Sequence, residues 1–149
     1  MYHKILVPLD GSKRAENILC HVEKLAICYS AEVIFFQVVT PPKMLEYGTP
    51  KPELYQRELD DRLRKAKKYL EGHKGTFREK KIGSKAVVVF GSVVKEILYA
   101  AEREEAALIA ICSHGRSGLS RLYYGSVASG VLNRADRPLL IIRAHNHNG

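Results

Sequence analysis

Five short apolar runs recur along the chain, and between successive runs there is room for a helix. This spacing constrains the fold more than any other feature of the sequence. The runs are HKILVPL at 3–9, EVIFFQVV at 32–39, KAVVVF at 85–90, ALIAIC at 107–112 and PLLIIR at 138–143. A strand with one wet face alternates apolar and polar residues. A run that is apolar throughout suits a strand covered on both faces, as in a parallel sheet. The segments between the runs repeat apolar residues every three or four positions, which suits an amphipathic helix. Ala15, Ile18, Leu19, Val22, Leu25, Ala26 and Tyr29 form the first stripe, with Ser12 as its candidate N-cap. Tyr55, Leu59, Leu63, Ala66 and Leu70 form the second, which Gly72 to Gly75 is expected to end. A third helix follows Gly91-Ser92 and carries Ile97, Leu98 and Ala101. A fourth runs from Gly125 to Asn133, with Val127, Val131 and Leu132 turned inward.

The alternation predicts an α/β fold: an open, doubly wound, five-stranded parallel sheet with helices on both faces. The 149 residues suit one domain spanning 1–149. Residues 40–52 hold four of the six prolines and read as an exposed loop. No apolar stretch approaches the ~18–20 residues of a membrane span. Near the N-terminus Ile5-Leu6-Val7 is stopped by Pro8, too soon for a signal-peptide core. The expectation is a soluble, cytoplasmic protein with no membrane partner. Cys20, Cys28 and Cys112 are an odd count with no CxxC pair, which speaks against a disulfide framework or a zinc site.

Net charge is +8, and residues 51–85 hold twelve Lys/Arg against six Asp/Glu. Such a stretch could attract nucleic acid. The preferred reading is a solvated charged helix, because Glu58, Asp60 and Asp61 dilute the patch and no aromatic series interleaves it.

In doubly wound sheets, ligands bind beyond the carboxyl ends of the strands. That directs attention to Asp10, Val38-Val39, Gly91-Ser92 and the loop CSHGRSGLSRLYYGS at 112–126. Glycines admit close approach of main-chain N–H groups to an anion, and a helix N-terminus adds unpaired N–H donors. The loop can therefore be a phosphate cradle. It can equally be a connection that uses glycine to turn and Ser126 as an N-cap. Likewise Asp10 can serve a ligand or form an Asx turn with Gly11-Ser12. No GxxxxGK[ST] is present, and Gly115-x-x-Gly118 follows the fourth strand rather than the first, so a P-loop and a dinucleotide fingerprint are excluded. The acidic residues of a response regulator are also lacking. No nucleophile–base pair is evident. His114 is the one histidine in the candidate site, and His145 and His147 lie in the tail.

Several segments together resemble the universal stress protein family. Val7-Pro8-Leu9-Asp10-Gly11-Ser12 is similar to the family's opening. Gly115, nine residues, then Gly125-Ser126 matches the later part of its ATP motif. Ser113-His114-Gly115 and RPLLIIR at 137–143 are also similar. Two departures stand out: Cys112 replaces the motif's first glycine, and Ala107 replaces an acidic residue. The resemblance implies a Rossmann-like fold of the adenine-nucleotide alpha-hydrolase type. It also implies an ATP site formed by Pro8, Asp10, Val38, Cys112, Gly115, Gly125, Ser126 and Val127. Asp10 would serve the ribose, the Val38 main chain the adenine edge, and Cys112, Gly115, Gly125 and Ser126 the ribose and phosphates. Mg²⁺ would arrive with the phosphates. If the Cys112 side chain faces the ligand, it crowds the ribose and weakens binding.

The functional expectation is a nucleotide-binding sensor or switch in stress response, at most a slow ATPase. It would be a homodimer through the Leu139–Arg143 strand, which family members pair across a two-fold axis. The alternatives are a nucleotide-free interaction dimer of the same fold and a basic nucleic-acid-binding protein.

Overall fold

Each of the five apolar runs is a strand: β1 Lys4–Pro8, β2 Glu32–Val39, β3 Ser84–Phe90, β4 Leu108–Ser113 and β5 Leu139–Arg143. The structure, a computed structural model, describes residues 1–42, 51–113 and 125–144. The strands form one sheet in the order β3-β2-β1-β4-β5, and every neighbouring pair is parallel. The chain steps outward from β1 through β2 to β3, then crosses to β4 on the other side of β1. Strand order therefore reverses between β1 and β4.

Side chains along a strand point alternately to the two faces, and here both faces are covered. Ile5, Val7, Val33, Phe35, Leu108 and Ala110 join Val22 and Ala26 of α1 (Leu19–Tyr29) and Leu70 and Phe77 of α2 (Pro52–Glu79). Leu6, Ile34, Phe36, Ile109 and Ile111 join Ile97, Ala100 and Ala101 of α3 (Val93–Arg103) and Val131 of α4 (Ser126–Arg134). This two-sided burial is why the runs are mostly apolar instead of alternating. Each large apolar side chain withdrawn from water contributes about 1.5–3 kcal/mol, which makes this sandwich the main support of the sheet.

Three local expectations are corrected. First, α2 does not end at Gly72–Gly75 but runs on to Glu79. A helical glycine costs about 1 kcal/mol relative to alanine. Leu70 and Phe77 flank the pair and are both buried, and the Phe77 ring meets Phe35 edge-on at 4.9 Å. That burial outweighs the cost. Second, the first helix opens with a 3₁₀ turn, Ala15–Ile18, rather than directly on Ser12. The Ser12 hydroxyl still accepts the Ala15 N–H at 3.2 Å. Third, Leu132 is 46% exposed and not inward.

The helices α1, α2 and α3 end alike. Ser30, Lys81 and Glu105 adopt φ of 53°, 61° and 53°. The next residue folds back: Ala31, Ile82 and Ala106 donate their N–H to the carbonyls of Ala26, Phe77 and Ala101 at 2.9, 3.0 and 2.9 Å. Those three residues are buried, so each hook pins a helix end to the core before the next strand begins. Arg137 adds a tie of another kind. Its Nη1 donates to the carbonyls of Ala101 and Ala106 at 2.7 and 2.9 Å, which fixes the end of α3 to the start of β5.

Candidate functional site

The turn after β1 is built by Asp10. Its Oδ1 accepts the Ser12 N–H at 2.9 Å and the Ser12 hydroxyl at 2.6 Å, the Asx turn anticipated from sequence. Oδ2 takes part in neither bond. Gly11 has φ of +86°, which an L side chain rarely adopts, so backbone conformation requires glycine there. On the preceding residue, the Leu9 N–H donates to the Phe36 carbonyl at 2.8 Å and holds the turn against β2.

Beyond the carboxyl ends of β1, β2 and β4 lies a cavity of about 230 Å³, at the reversal of strand order. Pro8, Leu9, Asp10, Ser12, Arg14 and Ala15 line it from β1 and the turn. Phe36 and Val38 come from β2, Val93 and Ile97 from α3, Ile111, Cys112 and Ser113 from β4, and Gly125, Val127 and Ala128 from the start of α4. The walls are mostly apolar, and the polar groups gather at the strand ends.

Six of the eight residues expected from sequence, Pro8, Asp10, Val38, Cys112, Gly125 and Val127, line this cavity. Ser126 begins α4 beside them and is exposed. Gly115 lies outside the described residues, as do His114, Arg116, Gly118, Arg121, His145 and His147. The N-cap of α4 is Gly125, not Ser126, and its carbonyl accepts the Ser129 N–H at 2.9 Å. Gly125 has no side chain to cap the helix, the N–H groups of its first turn have no intrahelical acceptor, and the positive end of the dipole sits at the cavity wall.

Cys112 packs against the cluster on the α1 side of the sheet, with Ala15 and Leu19 of the overlying turn and helix in the same cluster. Burial pushes its thiol up to about 11; the Arg14 charge opposes this and the Asp10 charge adds to it. The thiol is therefore protonated at neutral pH. Four contributors to the cavity carry no motif in the sequence. Arg14 reads as an ordinary surface cation, and Phe36, Val93 and Ile97 read as core. Only the fold shows that they meet Asp10 and Gly125.

On the other side of Asp10 a second groove, about 540 Å³, includes Gln37, Thr40, Arg62, Lys65 and Tyr69. Burial, followed by the Glu16 carboxylate, holds the Tyr69 phenol above its ordinary value. The basic stretch expected from sequence is largely α2, and several of its cations are paired. Arg62 pairs with Glu58 and Arg64 with Asp61, both at 2.9 Å, and Lys80 pairs with Glu23 at 2.6 Å. Among the described residues no three or more His, Cys, Asp or Glu gather as metal ligands, and no helix is long and apolar enough to cross a membrane.

The chain matches known proteins over nearly its whole length. The model of the Universal stress protein family matches residues 1–143. Universal stress protein MJ0577 of Methanocaldococcus jannaschii is 30% identical over 158 residues, covering 98% of both chains. The solved structure of MJ0577 superposes with a TM-score of 0.81 at 31% identity, covering 98% of this chain and 99% of that one. Universal stress protein UspA from Lactobacillus plantarum gives 0.79 at 25% identity, covering 95% and 98%. A universal stress protein family protein from Arabidopsis thaliana, solved with AMP bound, gives 0.69 at 16% identity, covering 95% and 92%. At that last identity the likeness is one of fold.

Proposed function

The chain belongs to the universal stress protein family, and from that premise we propose that its cleft binds an adenine nucleotide, ATP foremost. On this reading the protein is a single domain, 1–149, that works in the cytoplasm as a nucleotide-responsive sensor or switch in stress response. The observation that carries the proposal is the cavity at the strand reversal. There an apolar pocket, a carboxylate at a strand end and a helix N-terminus that opens on glycine meet. The AMP bound by the Arabidopsis relative lends support.

The residues fit such a ligand. The apolar walls suit a base, and the Val38 main chain lies at the end of β2 for its edge. Asp10 Oδ2 can accept from ribose hydroxyls while Oδ1 keeps the turn. Gly125 brings backbone close without a Cβ, and the first amides of α4, with the Ser126 hydroxyl, supply donors for phosphate. Gly115 belongs to the same proposal by its place in the motif. Mg²⁺ would be held chiefly by the phosphates.

The test is a thermal shift with ATP at physiological salt, combined with mass spectrometry of small molecules released when purified protein is denatured. A saturable upward shift with ATP and its loss in Gly125→Val are expected, since a branched side chain would bar the anion. No shift at millimolar ATP, or an equal shift with any polyanion that collapses with salt, would remove the reading.

The same proposal includes a homodimer through β5. That strand is an edge of the sheet, and its four apolar residues, Leu139 to Ile142, are all only partly buried within one chain. An apolar open edge invites pairing.

A further inference from the structure

Resting on the adenine-nucleotide reading of the cleft, we propose that Arg14 recognises the phosphate end of the ligand and makes the protein select among adenine compounds by anionic charge. Arg14 stands at the start of the 3₁₀ turn that follows Asp10, and it lines the cavity. Among the described lining residues it is the one cation, and Asp10 is the one anion. Cys112 lines the same cavity, and the Arg14 charge opposes the effect of burial on its thiol.

The two charges divide the work. Asp10 favours groups that donate hydrogen bonds and repels phosphate. Arg14 does the reverse, with donors in a planar fork that matches phosphate oxygens. The N-terminus of α4 presents a second positive feature to the same cavity at Gly125. Both features favour an anion there. Phe36, Ile97 and Ile111 form apolar walls with little capacity to screen these charges. Arg14 also follows the β1 turn directly, so the same Asx geometry that orients Asp10 sets where the guanidinium begins.

The test is calorimetric titration with adenosine, AMP, ADP and ATP. The proteins are the parent chain, Arg14→Gln, Arg14→Lys and Lys24→Gln, the last removing an equal charge from an exposed position on α1. In the parent, affinity should climb with each phosphate. In Arg14→Gln the climb should flatten, with ATP weakened roughly tenfold to a hundredfold, the range for a lost hydrogen bond to a charged group, and adenosine weakened far less. Arg14→Lys should recover part of the climb, and Lys24→Gln should keep all of it. Arg14→Gln with the full climb intact, or with adenosine and ATP weakened equally, overturns the role of Arg14 while leaving the cleft as a nucleotide site. A parent protein that binds none of the four overturns the nucleotide reading, and this inference with it. The unliganded melting temperature of each variant separates loss of contact from loss of fold.

Discussion

Cys112 occupies the position where the family's nucleotide motif carries a glycine, so the direction of its side chain decides what it does. Its side chain packs against the cluster on the α1 side of the sheet, to which Ala15 and Leu19 also belong, which directs it largely into the core. Crowding of a ligand should then be slight. Cys112→Gly is expected to cost about 1–2 kcal/mol of stability, from backbone freedom in a strand and lost packing, and to change ATP affinity by only a few-fold. Chemical denaturation and titration of the same variant measure both quantities; a tenfold tightening of ATP would show that the thiol does face the ligand. The raised thiol also sets a pH dependence. The unfolded chain loses this proton near the ordinary 9.0 and the folded chain only near 11, so the unfolded state binds fewer protons between those values. Stability should therefore fall as pH rises through that window. Tyr69 pushes in the same direction, so the part due to Cys112 is read by difference. Cys112→Ala should lose less stability than the parent between pH 9.0 and 11. Equal alkaline losses would mean that the thiol ionises alike in both states.

At the scale of elements, the helix ends show which features the chain announces in its sequence and which it does not. The strands were legible because burial on both faces leaves no room for alternation, a property each segment carries in itself. The ends of α1, α2 and α3 were not. They turn at Ser30, Lys81 and Glu105, residues with no intrinsic preference for positive φ comparable to glycine's, and they are fixed by the burial of Ala31, Ile82 and Ala106 in a core that local sequence does not contain. Gly72 and Gly75 gave the opposite error: they look like a stop but sit inside α2, carried through by Leu70 and Phe77. The site divides in the same way. Asp10 and Gly125 were legible from turn and helix-start chemistry, whereas the α3 wall enters the cleft only through the crossover, and Arg14, four residues after Asp10, carries no motif that marks it. Arg137, which resembled part of a family motif, joins α3 to β5 through two carbonyls. These ends predict stabilising changes. Lys81→Gly and Glu105→Gly should each gain about 0.5–1 kcal/mol by relieving a left-handed side chain. Gly75→Ala should gain up to about 1 kcal/mol, because a Cβ there meets nothing within 4 Å. Urea denaturation midpoints check all three; a loss at Glu105→Gly would show that its side chain contributes more than its backbone strain costs.

The two edges of the sheet are unlike, and that difference bears on the whole molecule. β3 opens with Ser84 and Lys85, and Lys85 pairs with Glu104 at 2.5 Å, so one edge carries charge. β5 presents an unbroken apolar run, Leu139, Leu140, Ile141 and Ile142, and its charge, Arg143, comes only at its end. Its backbone is also directed. The Ile109 N–H donates to the Pro138 carbonyl at 3.1 Å, and Ile109 stands opposite Leu139. In a parallel pair successive residues turn their backbone groups to opposite sides, so Leu140 and Ile142 bond toward β4 while Leu139 and Ile141 turn theirs to the open edge. If a second copy pairs there, the N–H of Ile141 is a donor the dimer needs and the single chain does not. Ile141→Pro removes that donor, and proline is tolerated on an edge strand when its nitrogen faces outward. By contrast, Leu140→Lys places charge where the side chain packs against the chain's own core, so it should weaken fold and dimer together. The expected result by sedimentation at tens of micromolar, ~10⁻⁵ M, is a parent of twice 16.8 kDa and an Ile141→Pro variant of 16.8 kDa with unchanged far-ultraviolet circular dichroism. A parent that sediments as one chain removes the homodimer. An Ile141→Pro variant that stays dimeric moves the interface away from the β5 backbone, leaving the apolar edge to be explained by side-chain packing alone.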